Sequence, residues 1–401
     1  MVVALAAGVL GVVVGSSGGD DEEAASTVPS PGRGEPEERI SFLAKIVPPP
    51  AGARGNDRRA AFPPPVAAVA RRMSIERRVA QVFLFGFRGT DATAEIFGRL
   101  RRLDLGGIVV TGPNFVSSDQ LALVAGEAAV VARERRHIRP LVLAAQEGGD
   151  LNSFPGLPPP TAPADLGSVE DAAAGAKASA AALRPLGVTG VLGPDVDVGP
   201  EGGSVLGARV YSDDPEEVAD YAAATVRAYR SEGVVSAVKH FPGLGAADQS
   251  TEEGPATVGL GIEELAARDL VPFEAAIKAG TQAVIVGHAL YPFNDFTVPA
   301  SLSSEVQTGL LRKRLHFRGV SMTDDLADPA ITAIHTVPDA AVRALRAGAD
   351  MIQISGTAGD QQAAYVAVLR AVQRGRIPRA RLDQAVGRIL LVKQRLGGIG
   401  R

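Results

Sequence analysis

Residues 214–240 read DPEEVADYAAATVRAYRSEGVVSAVKH, and this stretch joins an amphipathic helix to a short apolar strand. Asp214 followed by Pro215 is a typical helix start, because the aspartate can cap free N–H groups and proline fits the first turn. Gly233 is typical of a helix end, since glycine readily takes the left-handed conformation found there. The β-branched run at 235–240 is typical of a strand buried on both faces. The stretch therefore predicts one helix-to-strand unit of an α/β fold.

The same alternation extends over the chain from Met73 onward. Short apolar runs predict eight strands at residues 82–85, 107–110, 141–145, 187–192, 235–240, 283–288, 319–325 and 351–355. Helical patterns occupy residues 118–135, 169–184, 214–231, 262–279, 302–314, 337–347 and 360–373, and Ser74 can cap an earlier helix. This alternation predicts a (β/α)8 TIM-type barrel, a single catalytic domain over residues 70–401. An open doubly wound sheet is the alternative, but eight units without a G-x-G-x-x-G motif disfavour it.

The N-terminal part of the chain has a different composition. Residues 2–14 form an apolar run that is shorter than the ~20 residues of a transmembrane helix and fits the apolar region of a signal peptide. We therefore expect residues 1–19 to be a signal peptide or an N-terminal membrane anchor, with a buried helix as the alternative. Residues 20–69 are rich in Pro, Gly, Ser, Glu and Arg, which predicts a disordered linker that does not pack on the barrel.

Composition and charge exclude several classes of function. The 401 residues include 41 Lys and Arg and 45 Asp and Glu, a formal net charge of −4. This balance argues against a nucleic-acid partner, which requires a basic surface. Cysteine is absent, which excludes disulfides, thiolate metal sites and a cysteine nucleophile. Tryptophan is also absent, so an aromatic platform under a sugar would have to be Phe or Tyr.

Active sites of barrel enzymes lie at the C-terminal ends of the strands. The polar residues in these positions are Glu147, Asp195, Asp197, Lys239, His240, His288, Asp324 and Asp325. Structural roles are the alternative for most of them: His288 as a satisfied core histidine, one of the adjacent aspartates as a helix cap. Glu147, Asp195 and Asp197 can likewise anchor loops. Lys239 is harder to explain in this way, because a buried lysine is costly unless a partner or a polar ligand meets it.

Lys239 and His240 are neighbours, and adjacent strand residues normally point to opposite faces. For both side chains to reach one ligand, the backbone between them must be irregular, and we expect a strained or cis peptide there. We also expect both residues to converge with His288 and Asp324 at one mouth of the barrel, since each of the four ends a strand.

Three segments closely resemble glycoside hydrolase family 3: KHFPG at 239–243, QEGG at 146–149 and LSSEVQTGLLRKRLHFRGVSMTDDL at 302–326. Similar segments also occur at residues 73–87, 207–243 and 284–303. The resemblance covers nearly all of 73–401, and the most similar branch is that of the single-domain bacterial β-N-acetylhexosaminidases. It implies a (β/α)8 barrel, which agrees with the alternation of strands and helices.

The resemblance also implies a chemistry, the retaining hydrolysis of β-linked sugars. In this family a carboxylate attacks the anomeric carbon, and water then releases the sugar from the glycosyl-enzyme. The family's nucleophile is the aspartate that follows Ser or Thr at the end of strand seven, which is Asp324 in this chain. Its Lys-His pair, Lys239 and His240, and its arginine, Arg209, bind the sugar. His288 and Asp197 match further positions of the family's motifs and are expected to bind substrate.

The chain departs from the family pattern at the acid/base position. In the hexosaminidase branch an Asp-Ser-His triplet follows KHFPG and supplies the histidine that protonates the leaving group. Counted without gaps from Lys239, the triplet falls on 250–252, so that Glu252 takes the place of the histidine. We expect Glu252, or its neighbour Glu253, to be the acid/base, since a carboxylic acid with a raised pKa does this in most glycosidases. The alternative is that both are solvated loop acids.

Sugar-binding positions around the QEGG segment also differ. The family's acid before this segment is Ala145 here, and its arginines fall on Asp150 and Ser153. The sequence therefore predicts an exported or membrane-anchored bacterial glycosidase that cleaves terminal β-linked N-acetylhexosamine from cell-wall-type glycans. Alternatives are a β-glucosidase-like or phosphorylase-like enzyme with an altered sugar preference, and a catalytically impaired carbohydrate-binding pseudoenzyme. We expect a monomer with a carbohydrate substrate, no organic cofactor and no metal.

Overall fold

The structure, a computed structural model, describes residues 62–199, 203–294 and 296–399. Eight parallel strands close into a barrel in sequence order, with β1 paired to both β2 and β8. The strands are β1 Phe83–Phe85, β2 Gly107–Val110, β3 Leu141–Ala144, β4 Gly190–Val191, β5 Val235–Phe241, β6 Ala283–Val286, β7 Val320–Asp325 and β8 Met351–Ile354. The predicted (β/α)8 barrel is confirmed, and each predicted strand is present with its ends shifted by a few residues at most.

Helices cover the outside of the barrel. They are α1 Pro64–Arg72, α2 Ile75–Gln81, α3 Glu95–Arg102, α4 Ser118–Arg135, α5 Val169–Leu183, α6 Pro215–Ser231, α7 Ile262–Ala267, α8 Leu270–Ala279, α9 Pro329–Thr332, α10 Val337–Ala347, α11 Ala358–Gln373 and α12 Arg379–Arg395. The helix predicted over 262–279 is interrupted, because Arg268 leaves the helical conformation with φ −124° and ψ −77°. The segment Glu305–Arg314 is a π-helix.

Several helices begin and end where the local sequence signals predicted. The Ser74 hydroxyl accepts a hydrogen bond from the Arg77 N–H, and the Asp214 carboxylate accepts one from the Glu216 N–H. Gly233, which follows α6, has φ +72°, a conformation that strains any residue with a Cβ. Caps of this kind stabilise a helix by about 1 kcal/mol, so they favour a helix end at these residues. Packing against the barrel then stabilises the helix itself.

The predicted boundary between linker and barrel is wrong. Residues 62–69 were assigned to the disordered linker, yet Val66 in α1 is fully buried and belongs to the barrel core. Phe62 packs against the same core, where a Cβ added at Gly387 of α12 would meet its ring at 2.1 Å. The three prolines at 63–65 suggested a linker, but proline in the first turn of a helix is well tolerated.

The remaining N-terminal predictions fall on residues that are not described. The expected signal peptide or anchor at 1–19 and the linker up to residue 61 lie outside the described residues. Within the described ranges, no helix combines the length and the apolar character needed to cross a membrane.

The strands are apolar because both of their faces are buried, one by the barrel interior and one by the helices. Polar residues enter at the C-terminal ends of β5 and β7, where Lys239, His240, Thr323 and Asp324 follow the apolar residues. The barrel therefore places its polar chemistry at one rim and leaves the other strand positions to packing.

Candidate active site

Strand β5 carries the two residues predicted to share a ligand. The Lys239–His240 peptide bond is cis, as the sequence predicted, and both side chains line a cleft at the rim of the barrel. Lys239 is 7% exposed, and its Nζ donates to Glu147 Oε1 at 2.8 Å. Burial opposes the charge on Lys239, but the carboxylates of Glu147 and Asp195 outweigh it and raise its pKa. The lysine is therefore a buried ammonium group with a carboxylate partner.

His240 lies between two carboxylates. Its Nδ1 lies 2.7 Å from Asp197 Oδ2, and its Nε2 lies 3.6 Å from Asp324 Oδ2. Burial disfavours the charged ring, but the hydrogen bond to Asp197 and the nearby carboxylates of Asp197, Asp195 and Asp324 raise the pKa of His240 to about 9. At neutral pH the ring is an imidazolium with an N–H group at each nitrogen, of which Nδ1 is bonded to Asp197.

Asp324 is the predicted nucleophile, and its side chain is 20% exposed to the cleft. Burial works to raise its pKa, but the neighbouring side chains of His240, then His288 and Lys239, outweigh it and hold the pKa of Asp324 below its usual value. The Asp325 N–H also donates to Asp324 Oδ1 at 3.1 Å. The carboxylate is therefore ionised at neutral pH and accessible to a ligand in the cleft.

Arg209 connects two acids across the cleft. It ends a short 3-10 turn, Gly207–Arg209, in the connection after β4. Its Nε lies 3.7 Å from Glu147 Oε2, and its Nη1 lies 3.6 Å from Glu252 Oε1. The sequence favoured a loop-anchoring role for Glu147. In the structure its carboxylate instead forms ion pairs with Lys239 and Arg209.

The loop after β5 carries the predicted acid/base. The Glu252 side chain is 65% exposed and lines the cleft, while Glu253 is exposed and does not line it. The Leu244 N–H at the start of the loop donates to Asp197 Oδ1 at 2.6 Å. Further along, the Thr251 carbonyl accepts from the Ala330 N–H at 3.1 Å. The structure thus brings Glu252 to the site, and hydrogen bonds at Leu244 and Thr251 fix the part of the loop that precedes it.

Asp197 supports the site from behind the cleft. It is 1% exposed, and its carboxylate accepts from the backbone N–H groups of His240 and Leu244 as well as from the His240 ring. Asp197 was predicted to bind substrate. In the structure its hydrogen bonds instead position β5 and the following loop, the structural role that the sequence offered as the alternative.

Asp195, Asp197 and His240 form the one His and carboxylate cluster with metal-ligand spacing in the described part of the chain. Their ligand atoms lie within 4.8 Å of one another. Asp197 is already bonded to His240, and Asp195 Oδ1 accepts from the Asp197 N–H at 3.1 Å. Burial and the charge of Asp197 raise the pKa of Asp195 well above its usual value. These hydrogen bonds already link the three residues, and the cluster is better explained as support for the charged His240.

The structure does not bring His288 into the cleft. The ring is fully buried, with Nδ1 2.8 Å from Ser301 Oγ and Nε2 2.9 Å from the Asp325 carbonyl oxygen. Burial lowers its pKa, so the ring is neutral, donates from Nε2 and accepts the Ser301 hydroxyl at Nδ1. His288 therefore orients the end of β7 and has no free nitrogen for a substrate, which corrects its predicted binding role.

The turn after β7 contains one acid that the sequence did not single out. Asp325 accepts from the N–H groups of Ala327 and Ser355 and so fixes the turn. Asp328 lines the cleft beside Asp324 and Glu252. The N-cap position before Pro329 was the only local signal for Asp328, and it indicates a helix start rather than a site.

The cleft encloses about 990 Å3 of space that opens to solvent. Its polar lining includes Thr111, Glu147, Arg209, Lys239, His240, Glu252, Asp324, Asp325, Asp328 and Gln353. Leu192, Leu206, Leu244 and Ile285 form apolar parts of the wall, and no aromatic ring from the described residues lines it. A small polar molecule with several hydroxyl groups fits such a lining, in which charged groups provide donors and acceptors at close spacing.

Comparisons with known proteins agree with this geometry. The model of the glycosyl hydrolase family 3 N-terminal domain matches residues 74–392. A β-hexosaminidase of Stenotrophomonas maltophilia strain K279a is 34% identical over 284 residues, which cover 68% of this chain and 83% of that protein. An uncharacterized secreted glycosyl hydrolase of Arthroderma benhamiae is 28% identical over 341 residues, which cover 82% of this chain and 96% of that protein.

Among solved structures, a glycoside hydrolase family 3 β-N-acetylglucosaminidase from Paenibacillus sp. strain FPU-7 superposes with a TM-score of 0.79 at 34% identity. The match covers 81% of this chain but 63% of that longer protein. The chain thus spans somewhat less than two thirds of that enzyme.

Proposed function

Because the chain belongs to glycosyl hydrolase family 3, we propose that it is a retaining glycosidase that cleaves terminal β-linked sugars through a glycosyl-enzyme on Asp324. The observation that carries this proposal is the ionised Asp324 beside the imidazolium of His240, 3.6 Å away. A carboxylate that is charged at neutral pH can attack the anomeric carbon and can stabilise an oxocarbenium-like transition state.

In the proposed first step, an Asp324 oxygen bonds to the anomeric carbon as the glycosidic C–O bond breaks. The leaving oxygen takes a proton from Glu252, the cleft acid on the loop after β5. In the second step Glu252 removes a proton from water, the water oxygen bonds to the anomeric carbon, and Asp324 is released. Retaining enzymes hold their two carboxyl groups about 5–5.5 Å apart, so the Glu252 and Asp324 carboxyls must reach about this separation when substrate is bound.

Lys239, His240 and Arg209 are proposed to hold the sugar. The three cations line the cleft, and each presents N–H groups that can donate to sugar hydroxyls while remaining paired with a carboxylate. Charge-assisted hydrogen bonds are about twice as strong as neutral ones, and they depend on the position of each hydroxyl. This arrangement favours a pyranose with a free terminal ring.

The substrate class that we propose is β-linked N-acetylhexosamine, as found in cell-wall glycans. Support comes from the β-hexosaminidase and β-N-acetylglucosaminidase relatives, each 34% identical to this chain. Ala145 lines the cleft where the hexosaminidase pattern has an acid, so one sugar contact of that pattern is absent. We expect a lower selectivity among sugars than that pattern provides.

The proposed location is outside the cytoplasm, with residues 1–19 as an export signal or an anchor. The apolar run at 2–14 and the secreted relative from Arthroderma benhamiae support this proposal. We further propose that the protein acts as a monomer, because the site described is formed by residues of one chain.

The test is a kinetic comparison of variants on p-nitrophenyl β-glycosides, with the N-acetylglucosaminide and the glucoside in parallel. Asp324→Asn should lower kcat/KM by ~10⁴-fold or more, because it removes the nucleophile and keeps the shape of the side chain. Asp339→Asn removes an exposed charge on α10 and serves as the control, with kcat/KM within about twofold of the wild type.

Glu252→Gln provides the second arm of the same test, and Glu253→Gln is its matched control. Glu252→Gln should lower the rate on alkyl glycosides by about 10²–10⁴-fold, spare the first step with activated aryl glycosides, and regain turnover with azide. Full activity in Asp324→Asn would refute the nucleophile, and equal effects of the two glutamine variants would refute Glu252. A wild type without activity on any β-glycoside would support the carbohydrate-binding pseudoenzyme instead.

A further inference from the structure

Asp328 occupies a helix-capping position without capping the helix. It precedes α9, where an aspartate usually accepts hydrogen bonds from the first N–H groups. Its backbone is extended, with φ −65° and ψ 146°, but its carboxyl makes no such bond. The side chain lines the cleft together with Asp324, Asp325 and Glu252. The carboxyl therefore faces the reacting groups rather than the helix that it starts.

The loop that carries Glu252 is joined to the helix that follows Asp328. The Ala330 N–H donates to the Thr251 carbonyl at 3.1 Å, and Thr251 is 4% exposed. This backbone bond links the residue before Glu252 with the second residue after Asp328. Glu252 and Asp328 are thus held on two connected segments that face one cleft.

We propose that Asp328 stores the proton of the reaction: it supplies the proton that Glu252 passes to the leaving group, and it takes a proton back during hydrolysis. This inference rests on the proposed retaining mechanism and adds to it a second carboxyl that acts through Glu252.

The surroundings of Asp328 favour its protonated form in the free enzyme. Burial and the negative charges of Asp324, Asp325 and Glu252 raise the pKa of Asp328 to about 9, and His240 offsets part of this. These four groups come from β5, β7 and the loop after β5. At neutral pH Asp328 is therefore a neutral acid next to an ionised Asp324, the pairing of acid and nucleophile that glycosidases need.

The charge of Asp324 changes during the reaction in the direction that this role requires. When Asp324 forms the glycosyl ester, it loses its negative charge, and one of the charges that hold the proton on Asp328 disappears. As the glycosidic C–O bond breaks, the proton of Asp328 passes to the Glu252 carboxylate, which transfers it to the leaving oxygen. When water attacks, its proton returns through Glu252 to Asp328, and Asp324 regains its charge. Each cycle consumes one water and leaves both carboxyls as they began.

The first experiment is a pH profile of kcat/KM on an alkyl β-glycoside, with wild type, Asp328→Asn, Asp328→Glu and Asp214→Asn. Asp328→Asn keeps the shape and can still start a helix, but it cannot store a proton. In Asp328→Asn the alkaline limb of the kcat/KM profile should move to lower pH by about one unit or more on the alkyl glycoside. The profile on activated aryl glycosides should be nearly unaffected. Asp328→Glu should restore the limb in part. Asp214→Asn changes an aspartate that does cap its helix and should leave the profile unchanged.

The second experiment is an infrared titration of the carboxyl C=O band, which requires no turnover. The wild type should show a carboxylic acid that ionises near pH 9, and Asp328→Asn should lack it. In Asp324→Asn the same band should ionise at lower pH, because the neighbouring charge is gone.

An alkaline limb that is the same in wild type and Asp328→Asn would overturn this inference and leave the proposed function in place. A missing carboxylic acid band would overturn it as well. A wild type that hydrolyses no β-glycoside would overturn the proposed function first and the proton store with it, so the two failures are distinguishable.

Discussion

At the scale of single residues, the site is a set of cations each held between carboxylates. Lys239 is paired with Glu147 at 2.8 Å, and His240 lies between Asp197 at 2.7 Å and Asp324 at 3.6 Å. Buried charges are tolerated only when they are paired and hydrogen-bonded, so each cation depends on its acid and each acid on its cation. The nucleophile belongs to this set, and the charge of the neighbouring His240 depends in turn on Asp197, which lies behind the cleft.

Asp197→Asn tests this dependence. Without the Asp197 charge and its hydrogen bond, the pKa of His240 should fall from about 9 toward its ordinary value of 6.5. The His240 ring of Asp197→Asn should therefore titrate at least about one pH unit lower than that of the wild type, as measured by NMR of the imidazole protons. Asp195→Asn is the comparison, and the titration should move less, because Asp195 Oδ2 lies 3.5 Å from His240 Nδ1 and makes no hydrogen bond to the ring. An unchanged titration in Asp197→Asn would show that His240 is charged without it.

At the scale of secondary-structure elements, a buried lysine joins the last helix to the first part of the barrel. Lys393 in α12 is 1% exposed, and its Nζ donates to Gln81 Oε1 at 2.8 Å. Gln81 in turn donates to the carbonyl and the carboxylate of Asp104. Burial lowers the pKa of Lys393 to about 7, although the charge of Asp104 opposes this. A lysine in this position ties two elements together through its neutral form.

The pH dependence of stability tests this contact. The pKa of Lys393 is about 7 in the folded chain and 10.5 as the ordinary value. Between these values the unfolded state binds the extra proton, so the free energy of unfolding of the wild type rises with pH. Relative to Lys393→Met, the wild type should gain about 3–4 kcal/mol from pH 7 to pH 10, as measured by urea unfolding. Lys177→Met, which removes an exposed lysine, is the control, and parallel curves for wild type and Lys393→Met would contradict the prediction.

At the scale of the whole molecule, the two ends of the described chain meet where the barrel closes. Strand β1 pairs with β8, and Arg78 of α2 forms an ion pair with Asp383 of α12 at 2.9 Å. Helix α1 adds Val66 to the core, and Phe62 packs at Gly387. Contacts between distant parts of the chain hold the closed barrel, so the segment before β1 belongs to the folded domain.

Two truncated chains separate this segment from the linker. A chain that begins at residue 62 should keep the Tm of the full chain, whereas one that begins at residue 73 should lose about 2–4 kcal/mol and roughly 5–10 °C in Tm, since it lacks the apolar burial of α1. Limited proteolysis of the full chain should give a stable fragment that begins near residue 62. A fragment that begins near residue 73 with an unchanged Tm would contradict the structure.

The barrel and several residues of its rim were predictable from local sequence patterns. Eight apolar runs separated by helical patterns are local signals, because burial on both faces requires apolar residues and each connection requires its own caps and glycines. The barrel then places strand ends together, so Lys239, His240 and Asp324 were expected at one rim, and the family motifs added Arg209 and Glu252. All five line one cleft in the structure.

Which polar groups face the cleft depends on tertiary contacts that local sequence does not show. His288 ends a strand as His240 does, yet its two nitrogens are bonded to Ser301 and the Asp325 carbonyl. Asp328 has the local pattern of a helix cap, yet its carboxyl faces the cleft. The orientations of His288 and Asp328 depend on hydrogen-bond partners far apart in the sequence. They also depend on burial and on the summed charge of neighbouring strands. Local sequence patterns carry little of this information, because they record where a strand or helix ends and not what its last side chain meets.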